Sequence, residues 1–158
     1  MFSKREILEI AVRMEKNGES EYRKAVNEVT DRALISLLEW MADEEREHAN
    51  FFSSLMDKLD SFSKSPFGEE MDAAFLKDLI GGSTLSLKEV DFTKVDSVGE
   101  LLDVFIGFEE DSILFYQLVL PMIDDSGALA EIERIVAEEK NHIRKLREKI
   151  AEKGRQRC

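Results

Sequence analysis

The sequence is poor in the residues that form disulfides and cysteine-ligated metal sites. Its single cysteine, Cys158, is the last of 158 residues and is expected to be a frayed terminal residue. An internal disulfide is therefore excluded, and so is a zinc or iron site built from paired Cys-x-x-Cys motifs. Histidine is almost as scarce, with only His48 and His142. A metal site that uses imidazole must be built around these two residues.

Long apolar runs and an excess of basic residues are also missing. No run approaches the roughly 18 to 20 apolar residues that span a bilayer, and the first residues lack a signal-peptide core. These absences predict a cytoplasmic protein with no membrane partner. A net charge of −12 disfavours nucleic acid as a partner, because phosphates require a basic face. Hydrophobic residues still make up 43% of the chain, enough to bury the core of one domain.

Four long segments carry apolar residues at helical spacing, and each opens with a residue that can cap a helix. The predicted helices cover about residues 3–27, 31–59, 97–121 and 126–152. Ser3 with Glu6, and Ser97 with Glu100, have the spacing of capping boxes. Gly154 is placed to end the fourth helix.

The lengths of the connections predict how these helices are arranged. Short links pair the first helix with the second and the third with the fourth, giving antiparallel hairpins over residues 3–59 and 97–153. The crossover at residues 60–96 is long enough to run the length of a bundle, and one short helix is expected within it at residues 70–79. The prediction is a single all-α domain, a four-helix bundle with one long crossover.

The two hairpins also repeat each other at a constant spacing of 94 residues. Caps, apolar positions and polar positions all keep this spacing without a gap. The matched pairs include Ser3/Ser97, Glu6/Glu100, Leu8/Leu102, Glu15/Glu109, Tyr22/Tyr116, Asp31/Asp125, Glu45/Glu139 and His48/His142. Each hairpin is therefore expected to be related to the other by a pseudo-two-fold axis through the bundle.

Both histidines belong to a Glu-x-x-His motif, Glu45/His48 in the second helix and Glu139/His142 in the fourth. Residues three apart lie on one face of a helix and can bind one metal site. A single motif of this kind is an ordinary surface pattern. Two motifs at the repeat spacing, matched by Glu15 and Glu109 on the apolar stripes of the other helices, predict a site inside the bundle.

Neighbouring residues leave two assignments open. Glu44 and Glu138 precede the same histidines by four residues and can also approach that face. Tyr22 and Tyr116, seven residues after the other glutamates, are placed to hydrogen-bond ligand carboxylates; the alternative is that they are core tyrosines bonded elsewhere.

The acidic residues also constrain the metal. Four inward carboxylates are costly to bury unless cations neutralise them, and two divalent ions cancel the four negative charges. Mixed imidazole and carboxylate ligands favour two iron ions, with manganese as the less favoured choice, whereas structural zinc normally recruits cysteine. One Glu from each of two helices with a Glu-x-x-His from each of the others is the ligand set of ferritin-like dimetal proteins.

At this point the sequence resembles the rubrerythrin branch of the ferritin-like superfamily. The resemblance covers all four helices and rests on Met14-Glu15…Tyr22, the segment DEEREHA at residues 43–49, Phe108-Glu109…Phe115-Tyr116 and Ala137-Glu138-Glu139…His142. Two features depart from the family. These 158 residues contain no Cys-x-x-Cys motif of the kind that binds iron in a rubredoxin domain, and the position of an extra carboxylate three residues after the third-helix glutamate is Ser112, whose repeat mate is Gly18.

The resemblance implies a homodimeric di-iron oxidoreductase that reduces hydrogen peroxide or oxygen. An external electron donor, such as a rubredoxin-like protein, would replace the missing domain. In this interpretation Glu45 and Glu139 bridge or flank the irons, His48 and His142 each bind one, and the remaining two glutamates are terminal ligands.

Three alternatives stay open on the sequence alone. The site can serve ferroxidation for iron handling, or an oxygenase can use it on an organic substrate. The third alternative is a purely structural or partner-binding bundle in which the acids bind nothing.

Overall fold

A computed structural model describes residues 4–62 and 89–155, with the side chains of 59–62 left out. These residues form four long α-helices and two short 3₁₀ turns, without strands. The helices are α1 (Lys4–Val26), α2 (Arg32–Phe62), α3 (Val98–Val119) and α4 (Ser126–Arg155). The all-α bundle predicted from the sequence is confirmed.

The helices start where short polar side chains satisfy free backbone N–H groups. Asp31 Oδ1 accepts from Ala33 N at 2.8 Å and Leu34 N at 3.1 Å before α2. Its repeat mate Asp125 accepts from Ala128 N at 2.7 Å before α4. Such caps stabilise a helix start by about 1 kcal/mol.

The predicted capping box before α3 forms with one change. Ser97 Oγ accepts from Glu100 N at 3.1 Å, as expected. The Glu100 carboxylate then accepts from Asp96 N at 2.9 Å, one residue before the cap. The other predicted box includes Ser3, which lies outside the described residues.

The fourth helix is longer than the sequence indicated. Gly154 does not end α4, which continues through it to Arg155. A glycine can adopt the ordinary right-handed helical conformation, and no described glycine has a positive φ. The short helix predicted at residues 70–79 lies outside the described residues.

α1 packs on α2 and α3 packs on α4, as the short connections predicted. α1 also contacts α3, and α2 contacts α4, so the two hairpins pack against each other. None of the helices in residues 4–62 and 89–155 has an apolar stretch of the length needed to span a bilayer.

The buried apolar side chains form two clusters. One contains the beginning of α1, from Ile7 to Met14, together with Phe52 and Leu55 near the end of α2. The other contains the opposite ends of these helices, including Tyr22 and Leu34. Residues between the clusters lie in the middle of the bundle, shielded from water at both ends.

The end of the crossover is held on α1 by a buried acid. Glu21 is fully buried and accepts from Val90 N at 3.1 Å through Oε2. Its other oxygen accepts from Lys24 Nζ at 2.9 Å. This contact fixes the chain on α1 before it enters the 3₁₀ turn Phe92–Lys94 and then α3.

Candidate metal centre

Six buried side chains meet in the middle of the bundle. They are the residues that the sequence indicated: Glu15, Glu45, His48, Glu109, Glu139 and His142. None is more than 3% exposed. Every helix contributes, because α1 and α3 each supply one glutamate while α2 and α4 each supply a Glu-x-x-His pair.

The donor atoms fall into two overlapping groups, each of three carboxylates and one imidazole. Within a group the donor atoms lie within 4.8 Å of one another. The groups are Glu15, Glu45, His48 and Glu139, and Glu45, Glu109, Glu139 and His142. Glu45 and Glu139 therefore belong to both, which is the arrangement needed to join two neighbouring ions.

Glu139 shows this shared position most clearly. Its Oε1 lies 3.0 Å from Nδ1 of His48, and its Oε2 lies 3.0 Å from Nδ1 of His142. The two imidazole rings are 6.3 Å apart between centroids and nearly parallel. One carboxylate thus spans the gap between the two histidines.

The facing atoms approach one another without forming hydrogen bonds. Atoms in this state are Glu15 Oε2, Glu45 Oε1, His48 Nδ1, both oxygens of Glu139 and His142 Nδ1. Buried polar atoms are normally paired, because an unpaired one costs about 1–3 kcal/mol. These atoms instead lie close together around a shared space, as donor atoms do around a metal ion.

The Nε2 atom of each histidine, which faces away from the shared space, is hydrogen-bonded to a carboxylate from the opposite hairpin. His48 Nε2 lies 2.8 Å from Glu138 Oε2, and His142 Nε2 lies 2.7 Å from Glu44 Oε2. In a neutral imidazole, an acceptor at Nε2 places the single proton there and leaves Nδ1 free to bind a metal. Glu44 and Glu138 are thus on the far side of the rings from the site. The sequence left their position open.

The two buried tyrosines also cross between hairpins. Tyr22 on α1 donates a hydrogen bond to Glu109 on α3, and Tyr116 on α3 donates to Glu15 on α1. Burial, followed by the charges of these glutamates, raises both tyrosine pKa values well above 10. The hydroxyls therefore stay protonated. They orient Glu15 and Glu109, each of which belongs to only one of the two donor groups.

In the metal-free protein the histidines balance the acids. Burial lowers the pKa of His48, but the adjacent carboxylates of Glu139 and Glu15 outweigh burial and raise the pKa to about 12. The pKa of His142 is raised in the same way, mainly by Glu109 against the effect of burial. Burial and the neighbouring glutamates raise the pKa of Glu139 to about 8. Metal ions must therefore displace protons when they bind.

Outside the ligands the two halves differ. Arg134 on α4 forms an ion pair with Glu138, behind His48. The repeat mate of Arg134 is Trp40, whose ring stands edge-on to His142 at 5.3 Å between centroids. Lys145 Nζ lies 5.2 Å above the Trp40 ring. No repeat or motif in the sequence indicated these neighbours.

The ligands fit two divalent transition-metal ions. Each group offers one imidazole and three carboxylates without thiolate, the donors that iron and manganese take in ferritin-like bundles. The atoms that lack hydrogen bonds are those that face the shared space.

The family model for rubrerythrin matches residues 6–150. The chain belongs to the rubrerythrin family. Among solved structures, this rubrerythrin-family chain is similar to a protein from Thermotoga maritima described as a ferritin-like diiron-carboxylate protein. The two are 26% identical with a TM-score of 0.71, over 96% of this chain and 97% of that one. No match was found among curated proteins.

Proposed function

We propose that this protein is a non-haem di-iron oxidoreductase that reduces hydrogen peroxide or oxygen with electrons from an external donor. The observation that carries the proposal is the pair of overlapping donor groups that share Glu45 and Glu139. Membership of the rubrerythrin family and the similarity to a diiron-carboxylate protein support iron over manganese.

The charges of the site argue against a bundle that binds nothing. A purely structural core would gain nothing from buried carboxylate atoms without hydrogen bonds, because replacing such groups by apolar residues is often neutral or stabilising. Four glutamates balance two divalent ions, and the Nδ1 atoms of His48 and His142 face the shared space.

Two iron ions, when bound, would supply the two electrons that convert hydrogen peroxide to two waters with the uptake of two protons. The protein's residues would hold the site in place for this chemistry. Tyr22 and Tyr116 fix the terminal glutamates, while Glu44 and Glu138 fix the histidine rings. The two apolar clusters on either side exclude bulk water.

The outer carboxylates are also the polar groups of the site nearest to solvent. Glu44 and Glu138 side chains are each 28% exposed, whereas the inner glutamates are buried. Each hydrogen bond from a histidine Nε2 therefore links the buried site to a group that exchanges protons with water. These two links are the routes by which we expect protons to enter.

The test is to load the protein anaerobically with Fe(II) and follow oxidation by stopped-flow absorbance, with peroxide and oxygen in separate experiments. We expect two irons per chain and oxidation much faster than that of free Fe(II). The faster oxidant identifies the one the site is suited to. Glu133 on α4 is exposed and lies outside the site, so the variant Glu133→Gln serves as a control and should leave both oxidation rates unchanged.

Oxidation no faster than that of free Fe(II) would contradict the oxidoreductase. Uptake of many more than two irons per chain would instead support iron handling. Less than stoichiometric metal, with a melting temperature that a chelator does not change, would support the bundle that binds no metal.

A further inference from the structure

Gly18 lies in the middle of α1, one turn after Glu15, and is buried against the site. A Cβ atom built at this position would lie 2.9 Å from Glu45 Oε2 and 3.4 Å from Glu45 Cδ. The first distance is shorter than van der Waals contact allows. The carboxylate of Glu45 therefore occupies space that any residue other than glycine would fill.

Backbone conformation does not explain this glycine. Its φ is not positive, and alanine is the better residue in a helix interior because glycine loses more entropy on folding. Among the glycines whose surroundings are described, only Gly18 would place a Cβ atom closer than 3.0 Å to another atom. The nearest atom to a Cβ at Gly99 or Gly127 would lie at 3.7 or 3.2 Å, and a Cβ at Gly154 would have none within 4 Å.

We propose that Gly18 is a positioning residue for the metal site: the missing side chain lets Glu45 lie against α1, where its carboxylate serves both donor groups. The proposal rests on the proposed dimetal site. Glu45 approaches from α2 and belongs to both groups, with its Oε1 3.4 Å from His142 Nδ1. Because Glu45 is shared, moving its carboxylate disturbs both positions rather than one.

The repeat shows that only one of the two hairpins has a glycine at this position. The residue related to Gly18 on α3 is Ser112, which is buried and has a Cβ atom. Glu45 and Glu139 are repeat mates, but a Cβ atom is absent at position 18 and present at position 112. We therefore infer that the two shared carboxylates are held differently.

The first experiment measures the binding of Mn(II), as a redox-stable probe, to Gly18→Ala and to the unchanged protein by calorimetry. We expect the alanine to weaken metal binding roughly 10- to 100-fold, as other changes around metal ligands do. Gly154→Ala is the matched control, because it makes the same change in a helix with nothing within 4 Å. It should bind metal like the unchanged protein.

A second measurement works without metal. Alanine at position 18 is expected to raise the melting temperature in a Glu45→Ala background, where its Cβ meets no carboxylate. In the presence of Glu45 the same change should give a smaller gain or a loss. Equal gains in the two backgrounds would overturn the proposal, as would failure of Gly18→Ala to fold, because the clash would then not be with the flexible end of Glu45.

The outcomes separate the two proposals. If the unchanged protein binds two ions and Gly18→Ala binds them equally well, the role of Gly18 is wrong and the proposed function stands. If the unchanged protein binds no metal, the proposed function fails and the positioning role fails with it.

Discussion

The two hairpins match closely where they face the site and differ one layer further out. Glu15, Tyr22 and His48 all have identical residues 94 positions later. Directly behind the histidines Glu44 and Glu138 still match, but the next residues differ. Arg134 pairs with Glu138 behind His48, whereas its repeat mate Trp40 packs against His142. The repeat therefore holds for the residues that meet in the centre, whereas the neighbours of the outer glutamates differ between the two halves.

The strongest test of this comparison changes a residue that both metal positions share. Glu139→Gln keeps the shape of the side chain but removes the charge that spans the histidines. We expect it to abolish tight binding at both positions, measured as metal per chain after gel filtration. Glu133→Gln on the same helix is the control. Retention of one full ion would show that Glu139 serves a single position.

Removing one histidine at a time should affect only half of the site. His48→Ala and His142→Ala each remove the imidazole of one donor group. We expect each variant to bind about one ion instead of two, since the other group keeps its four ligands. Elemental analysis gives the number. Loss of both ions in either variant would mean that the positions fill only together.

The pH dependence of the metal-free protein tests both halves at once. The pKa of Glu139 is raised from 4.5 to about 8, so the folded chain holds a proton that the unfolded chain releases. Its contribution to stability is present below pH 4.5 and is lost as the pH rises through about 8. His48 contributes with the same sign, from 6.5 up to about 12. We expect the melting temperature without metal to fall between pH 5 and pH 8, by about several degrees.

Metal binding should reverse this trend. The ions displace the protons, so binding becomes tighter as the pH rises. Calorimetry in buffers of different ionisation enthalpy measures the protons released. A melting temperature without metal that rises between pH 5 and pH 8 would contradict the protonation of the buried cluster.

Trp40, the only tryptophan, allows the two positions to be distinguished by fluorescence. Its ring contacts His142, while the repeat-related position behind His48 is Arg134. We expect ions at the His142 position to quench the emission more strongly. His142→Ala should therefore reduce the quenching by added Fe(II) more than His48→Ala does. A larger reduction in His48→Ala would contradict the placement of Trp40 beside the His142 position.

The smallest expected effect comes from the ion pair behind His48. Arg134 is half exposed, and exposed ion pairs contribute about 0–1 kcal/mol. Arg134→Ala should therefore change the free energy of unfolding by less than about 1 kcal/mol, measured in urea. A loss of several kcal/mol would show that Arg134 does more than pair with Glu138.

The sequence predicted the fold and the residues that meet in the centre because periodicity and repetition report inward-facing positions. The convergence of Glu15 and Glu109 with the two Glu-x-x-His pairs follows from helical spacing alone. Spacing does not identify the partners of most side chains on other helices, so neither the hydrogen bond from His48 to Glu138 nor the close approach of Glu45 to Gly18 was predicted. The predicted end of α4 was wrong because a glycine permits a helix to end but does not require it to end.

The contacts between the two hairpins determine what metal binding would stabilise. Each donor group takes residues from both hairpins, so neither hairpin can form a complete donor group by itself. Glu44, Glu138, Tyr22 and Tyr116 add hydrogen bonds to site residues of the opposite hairpin. Metal bound in these groups would therefore stabilise the association of the hairpins, by about 2.7 kcal/mol when free metal is 100 times its dissociation constant. Amide hydrogen exchange at the interface between the hairpins would then slow as the free metal concentration rises. The stability of the bundle would in this way report the metal available to it.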